Sequence, residues 1–167
     1  MELWDSYHKD GTKAEVDLVR GQPIPKGLYH MVCEVLVQHE DGEFLLTRRA
    51  LCKFAYPGRY EASCGGHAVK GETALSAITR ELREETGIRD GIFREIDSFT
   101  EDDGCLFHIF LCRTRCDKTA LTLQEGETID YRWINAAQMR AFVNSEHIIR
   151  SRKNRFLKFF REMGWIE

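Results

Sequence analysis

Apolar side chains alternate along much of this chain. From Tyr29 to Gln38 one face carries Met31, Cys33, Val35 and Val37, and the other carries Val32 and Leu36. That is the pattern of a strand buried on both sides. Glu40-Asp41-Gly42 predicts a turn, and EFLLTRR predicts the returning strand. Ahead of this pair, ELWDSYH and AEVDLVR flank a Lys9-Asp10-Gly11 turn, a hairpin-like lead-in over residues 1–26. The main domain is expected over 27–167. Pro57-Gly58 predicts a turn and Tyr60 to Gly65 a short strand. Further strands are expected in IFREIDSF, in CLFHIFLCRTRC and around Tyr131-Arg132-Trp133, with a turn at Glu101-Asp102-Asp103-Gly104.

Two stretches carry a helical period instead. From Asn144 to Met163, Ile149, Phe156, Phe160 and Met163 fall near one stripe. Arg150, Arg152, Lys153, Arg155 and Lys158 surround it and are expected in water. The second helix precedes Gly87, a residue suited to ending a helix in a left-handed turn. Its apolar positions are Ala74, Leu75, Ala77, Ile78 and Leu82, with Glu81, Glu84 and Glu85 expected on the opposite face. Carboxylates at that spacing repel and weaken an isolated helix. A divalent cation turns the repulsion into a site, and hard oxygen ligands suit Mg²⁺ or Mn²⁺.

Composition changes this picture little. The 167 residues are 43% hydrophobic and 31% charged, with a formal charge of −3. Such a balance gives no general attraction to nucleic acid and no signature of disorder. No apolar run approaches the ~18 residues of a membrane span, and no signal peptide is visible, so a cytoplasmic location is expected. The six cysteines show neither a CxxC pair nor zinc-ligand spacing and are read as reduced thiols. Arg48, Arg49 and Lys53 lie just ahead of the acidic helix and are candidates to grip phosphate oxygens. Phe54, Tyr56 and Tyr60 are candidates to stack on a base.

The stretch GGHAVKGETALSAITRELREETGI resembles the Nudix box, G-x5-E-x7-R-E-U-x-E-E-x-G-U with U a bulky aliphatic. Gly66, Glu72, Arg80, Glu81, Leu82, Glu84, Glu85, Gly87 and Ile88 fill its defined positions. Its fixed letters match by chance on the order of once in 10⁸ start positions. The resemblance implies an α/β (α+β) fold, a Nudix-type α/β/α sandwich with a mixed curved sheet. It implies metal-dependent hydrolysis of a diphosphate bond in a nucleoside diphosphate linked to another group X, or in a nucleoside di- or triphosphate. Metal would be held by Glu81, Glu84 and Glu85, with the Gly66 carbonyl completing the shell. Arg80 would brace the loop through Glu72. Family members often place a further carboxylate in a later loop; Glu127 is the candidate and Glu125 the reserve. Glu81, Glu84 and Glu127 all remain candidates for the base that takes the water's proton. A small-molecule diphosphate is the expected partner, with a second copy of the chain as another candidate.

Residues 28–88 also resemble isopentenyl diphosphate isomerase, a relative that moves a carbon–carbon double bond. RRALCKFAYPG is very close to the isomerase pattern, with Arg49 and Lys53 at its diphosphate-binding positions, and His30 and His67 match two metal-binding histidines. The isomerase's catalytic cysteine, however, would fall at Gly65, another histidine at Pro23, and the strand CLFHIFLCRT lacks the expected glutamates. A module that binds a nucleotide without turnover is the third reading, which a complete box disfavours.

Overall fold

The computed structural model describes residues 1–167, the side chain of Ser63 excepted. Strand β3 (Tyr29–His39) is the hub of the molecule. Its residues from His30 to Val37 are all buried, so both faces of the strand are covered. It pairs antiparallel with β1 (Leu3–Tyr7), β4 (Phe44–Arg49) and β6 (Ser63–His67). It also runs parallel to β8 (Cys105–Thr114), in register from His30↔Cys105 to His39↔Thr114. β2 (Lys13–Val19) pairs with β1, β7 (Ile92–Glu101) with β8, and both β5 (Tyr60–Glu61) and β9 (Thr128–Ile134) with β4. The result is an open, mixed nine-stranded sheet.

Alternation along β3 sorts the core into two layers. Met31, Cys33, Val35 and Val37 pack with Ala77, Ile78 and Leu82 of helix α1 (Ala74–Thr86). Val32 and Leu36 pack with Met139 and Val143 of α2 (Ala136–Val143) and with Phe156, Phe159 and Phe160 around α4 (Leu157–Glu162). Between α2 and α4 lies α3 (Arg150–Arg155). Helices therefore cover both faces of a mixed sheet, the α/β/α sandwich expected from the sequence.

Several boundaries differ from that expectation. The lead-in hairpin extends the sheet through Ser6↔His30 and Tyr7↔Tyr29, and Trp4 and Leu18 are buried. The expected strand 60–65 is two strands, because β5 pairs with β4 and β6 with β3. The expected helix 144–163 is broken: the chain turns after the Asn144 cap, and Phe156 leaves helical geometry at φ −106°, ψ 12°. Ile149, Phe156 and Phe160 are buried as expected, but Met163 is exposed and Trp165 fills the core instead. The sequence reading passed over α2, although Asn135 and Gln138 form a capping box at its start.

Helix α1 starts where Thr73 and Ser76 cap each other, at 3.1 Å and 2.8 Å. It ends at Gly87 with φ 77°. Thr73→Ala removes one acceptor and is expected to cost about 1 kcal/mol in urea denaturation, an unchanged midpoint contradicting the cap. The apolar arc is narrower than expected, since Leu75 is exposed. Glu81 and Glu85 do not oppose that arc. Glu85 follows Ile78 and Leu82 at helical spacing, and it turns with Glu81 into a cleft beside the sheet.

Candidate active site

The cleft has a volume of about 570 Å³ and is bounded by β6, the acidic end of α1, the segment before β9 and helix α3. On its box wall the Glu81 carboxylate packs directly on backbone. A Cβ placed on Gly66 would lie 2.6 Å from Glu81 Oε1, so only glycine leaves that carboxylate its place. Arg80 holds the wall together. Its Nε and Nη2 donate to the two oxygens of Glu72 at 2.7 and 2.9 Å. Nη1 donates to Glu81 at 2.7 Å and to Glu84 at 3.2 Å, and Nη2 also reaches the His67 carbonyl. Glu72 in turn accepts from the Val69 amide at 2.9 Å, which closes the loop ahead of α1. The Arg80 guanidinium accordingly holds Glu72 below the usual carboxylate range.

The other carboxylates are pushed the opposite way. Burial, then the charges of Glu61 and Glu81, raise Glu85 to about 8. Burial also raises Glu81 and Glu61, against the pull of Arg80 and Arg49 respectively. Glu61 was not anticipated from the sequence. It is 9% exposed, accepts from Arg49 Nη1 at 2.9 Å through Oε1, and leaves Oε2 buried without a hydrogen bond.

Arg49 and Lys53 line the same cleft. A register shift between Arg48 and Arg49 re-aims the end of β4. Arg49 Nε donates to the Ala55 carbonyl at 3.0 Å, while Lys53 pairs with Glu127. Arg48 is not part of this group. Its Nε donates to the Gly58 carbonyl at 2.9 Å and its guanidinium lies beside the Tyr60 ring, which takes it out of the expected phosphate-gripping set. Glu127 lines the cleft, whereas Glu125 is exposed outside it. Of the three candidate base-stacking aromatics, Tyr60 is committed to Asp130 and Arg132, and Phe54 stands fully in solvent. None of the three lines the cleft.

The donor set fits a hard divalent cation. Its atoms are carboxylate and backbone oxygens, and burial raises three of its carboxylates, Glu61, Glu81 and Glu85, above their ordinary value. Among the described residues no three such side chains already converge as a finished cage. Any cation held there would have to compete with Arg80 for Glu81 and Glu84, which share Nη1.

The isomerase-like residues are arranged differently. Trp4 from the lead-in hairpin stacks on His30 at 4.2 Å and on His67 at 4.9 Å. The two histidines share a hydrogen bond between Nε2 and Nδ1 at 2.5 Å. Burial keeps both below the usual histidine range, His67 at about 4. At Gly65 the backbone has φ 150°, and a Cβ would lie 2.1 Å from the Cys33 carbonyl oxygen and 2.8 Å from Glu34 Cα. No side chain fits there. Cys64 faces the α1 core layer, 4% exposed, with its thiol raised by burial.

An α/β/α sandwich whose acidic helix and glycine-rich strand share a polar cleft with Arg and Lys defines the class. The chain belongs to the Nudix family: the NUDIX domain model matches residues 28–157. It is an enzyme of the Nudix pyrophosphohydrolase class. An uncharacterized Nudix hydrolase from Listeria monocytogenes is 29% identical over 151 residues, 89% of each chain. Isopentenyl-diphosphate Delta-isomerase 2 from Photorhabdus laumondii is 30% identical over 132 residues, 72% of this chain and 70% of that protein. Among solved structures, DR0079 from Deinococcus radiodurans has a TM-score of 0.69 at 18% identity, covering 87% of this chain and 91% of its own. The MutT protein from Methanosarcina mazei has a TM-score of 0.59 at 24% identity, covering 81% and 95%. These two likenesses concern the fold. Among the described residues no helix is long and apolar enough to cross a membrane.

Proposed function

We propose that the chain hydrolyses the diphosphate bond of a nucleoside diphosphate linked to a further group X, or of a nucleoside di- or triphosphate. One observation carries this reading: Glu81, Glu84 and Glu85 share a single cleft with Arg49 and Lys53. Glu81, Glu84 and Glu85, with the Gly66 carbonyl, would hold Mg²⁺ or Mn²⁺. When bound, such an ion neutralises phosphate charge and lowers the pKa of a water. Arg49 and Lys53 would hold the phosphates, so that attack runs in line with the leaving oxygen. Glu81, Glu84 and Glu127 are the candidates to take the proton. Glu127 is our choice, because it lines the cleft from outside the box and Arg80 does not occupy it. Arg80 and Glu72 keep the box loop in place, and Gly87 ends the helix.

The isomerase reading needs a thiol where Gly65 stands, and the Cys33 carbonyl fills that space. The hydrolase reading is tested with a panel of dNTPs, ADP-ribose, NADH, CoA and diadenosine polyphosphates, assayed with Mg²⁺, with Mn²⁺ and with EDTA. Metal-dependent release of phosphate, pyrophosphate or a nucleoside monophosphate is expected from at least one. Ligand-induced thermal stabilisation without any product would favour a binding module. On whichever substrate is found, Lys53→Ala is expected to raise KM on the order of tenfold, through loss of a charge-assisted phosphate contact. An unchanged KM would remove Lys53 from the substrate.

A further inference from the structure

Two arginines of the C-terminal region do not stay in water. Arg152 and Arg155 lie three residues apart on α3, so they leave one face of the helix together. Both reach the cleft, with side chains 27% and 15% exposed. Each donates through Nη1 to the same atom, Oε1 of Glu34, which is 1% exposed in the middle of β3. Glu34 pairs in register with Gly65, so it lies on the strand next to the one that opens the box. Arg152 Nε lies 3.2 Å from Glu61, the carboxylate that also holds Arg49. The Arg155 guanidinium rests over the Phe107 ring, 4.1 Å from its centre, within cation–π reach.

This exceeds what fastening a helix requires. Two guanidiniums converge on a single oxygen of Glu34 and repel each other, although Glu61 faces Arg152 and Glu101 stands 3.8 Å from Arg155 Nε as further counter-charges. Burial and the Arg155 charge together depress Arg152 to about 10. Among the described residues neither Nη2 has a protein partner, and the buried Arg155 Nε has no hydrogen bond. Unused donors on fixed guanidiniums in a cleft suit an oxyanion with several oxygens. A hydrocarbon chain placed there would desolvate both cations without replacing their water.

We propose that Arg152 and Arg155, with Glu34 as buried counter-charge, form a second anion subsite. It takes a phosphoryl group carried by X, apart from the scissile diphosphate at Arg49 and Lys53. This rests on the hydrolase reading for its substrate class. It selects, within that class, substrates with a phosphate remote from the bond that breaks.

The test compares matched pairs that differ by one remote phosphate, CoA with 3′-dephospho-CoA and NADPH with NADH. Their affinities for the wild-type chain are measured by calorimetry without divalent metal, so that nothing turns over. At least one phosphorylated member should bind about tenfold tighter or better than its partner. Arg155→Gln should reduce that preference to about threefold or less, and Arg155→Lys should keep part of it. Equal affinities within both pairs, absence of measurable binding included, overturn the subsite from the wild-type protein alone. A preference unchanged in both variants, shown folded by circular dichroism, overturns the assignment to Arg155. The hydrolase reading fails separately: adding Mg²⁺ would then give preferred binding of the phosphorylated member with no cleavage of either.

Discussion

Glu85→Gln is expected to lower metal-dependent turnover by about 10²–10³-fold or more while the chain stays folded. The two halves of this expectation have one cause. Glu85 is recessed among Glu61 and Glu81, and burial raises it from the ordinary 4.5 to about 8. The folded state therefore holds its proton more tightly than the unfolded state. Between those two values the metal-free fold loses stability as pH rises, because ionisation is easier once the chain unfolds. Glutamine keeps the side chain's size and cannot ionise. The metal-free variant should then be at least as stable as wild type at pH 8 in urea, with a flatter dependence on pH. It also lacks the anionic oxygen that a hard cation needs. Calorimetric titration with Mn²⁺ should weaken in parallel with turnover. A variant that keeps near-normal activity would defeat the metal assignment, whatever its stability.

Gly65→Cys carries the second large effect. The substitution installs the thiol that the isomerase pattern asks for at this position. The backbone offers it no room, with the Cys33 carbonyl 2.1 Å and Glu34 Cα 2.8 Å from the new Cβ, and a φ of 150° that side chains rarely adopt. Neither obstacle is the flexible end of a side chain. The expected cost is several kcal/mol, about 4 or more, seen as loss of soluble folded protein or a large fall in the urea midpoint. Gly65→Ala should suffer similarly, which separates the steric cause from thiol chemistry. A Gly65→Cys chain as stable as wild type would mean that β6 can move away from β3. The isomerase geometry would then be within reach.

Much of this molecule was legible in its residues. Period-two alternation located β3 and β4, and the two faces of β3 became the two core layers. The box supplied α1, its Gly87 stop and the Arg80–Glu72 brace. What escaped depended on partners remote in sequence. Glu34 lies outside the apolar positions that located β3, and its partner Arg152 lies 118 residues away. A carboxylate on a strand covered on both faces does signal a hidden counter-charge, but no local window says which one. The same distance concealed the inward turn of Arg152 and Arg155, which the helical pattern left in water. Glu85 was set opposite the apolar arc because period alone cannot distinguish a packed face from a recessed cleft wall. Arg48 and Arg49 were equivalent as letters, and the register shift between them sends one to the cleft and the other to Gly58.

The most direct test of diphosphate hydrolysis is the fate of water oxygen. Substrates from the panel, with isopentenyl diphosphate among them, are turned over in H₂¹⁸O with Mg²⁺, and the products are analysed by mass spectrometry. One ¹⁸O in a single phosphoryl product per turnover, absent with EDTA and in Glu85→Gln, is the predicted result. Dimethylallyl diphosphate formed with no ¹⁸O in any phosphoryl group would contradict it.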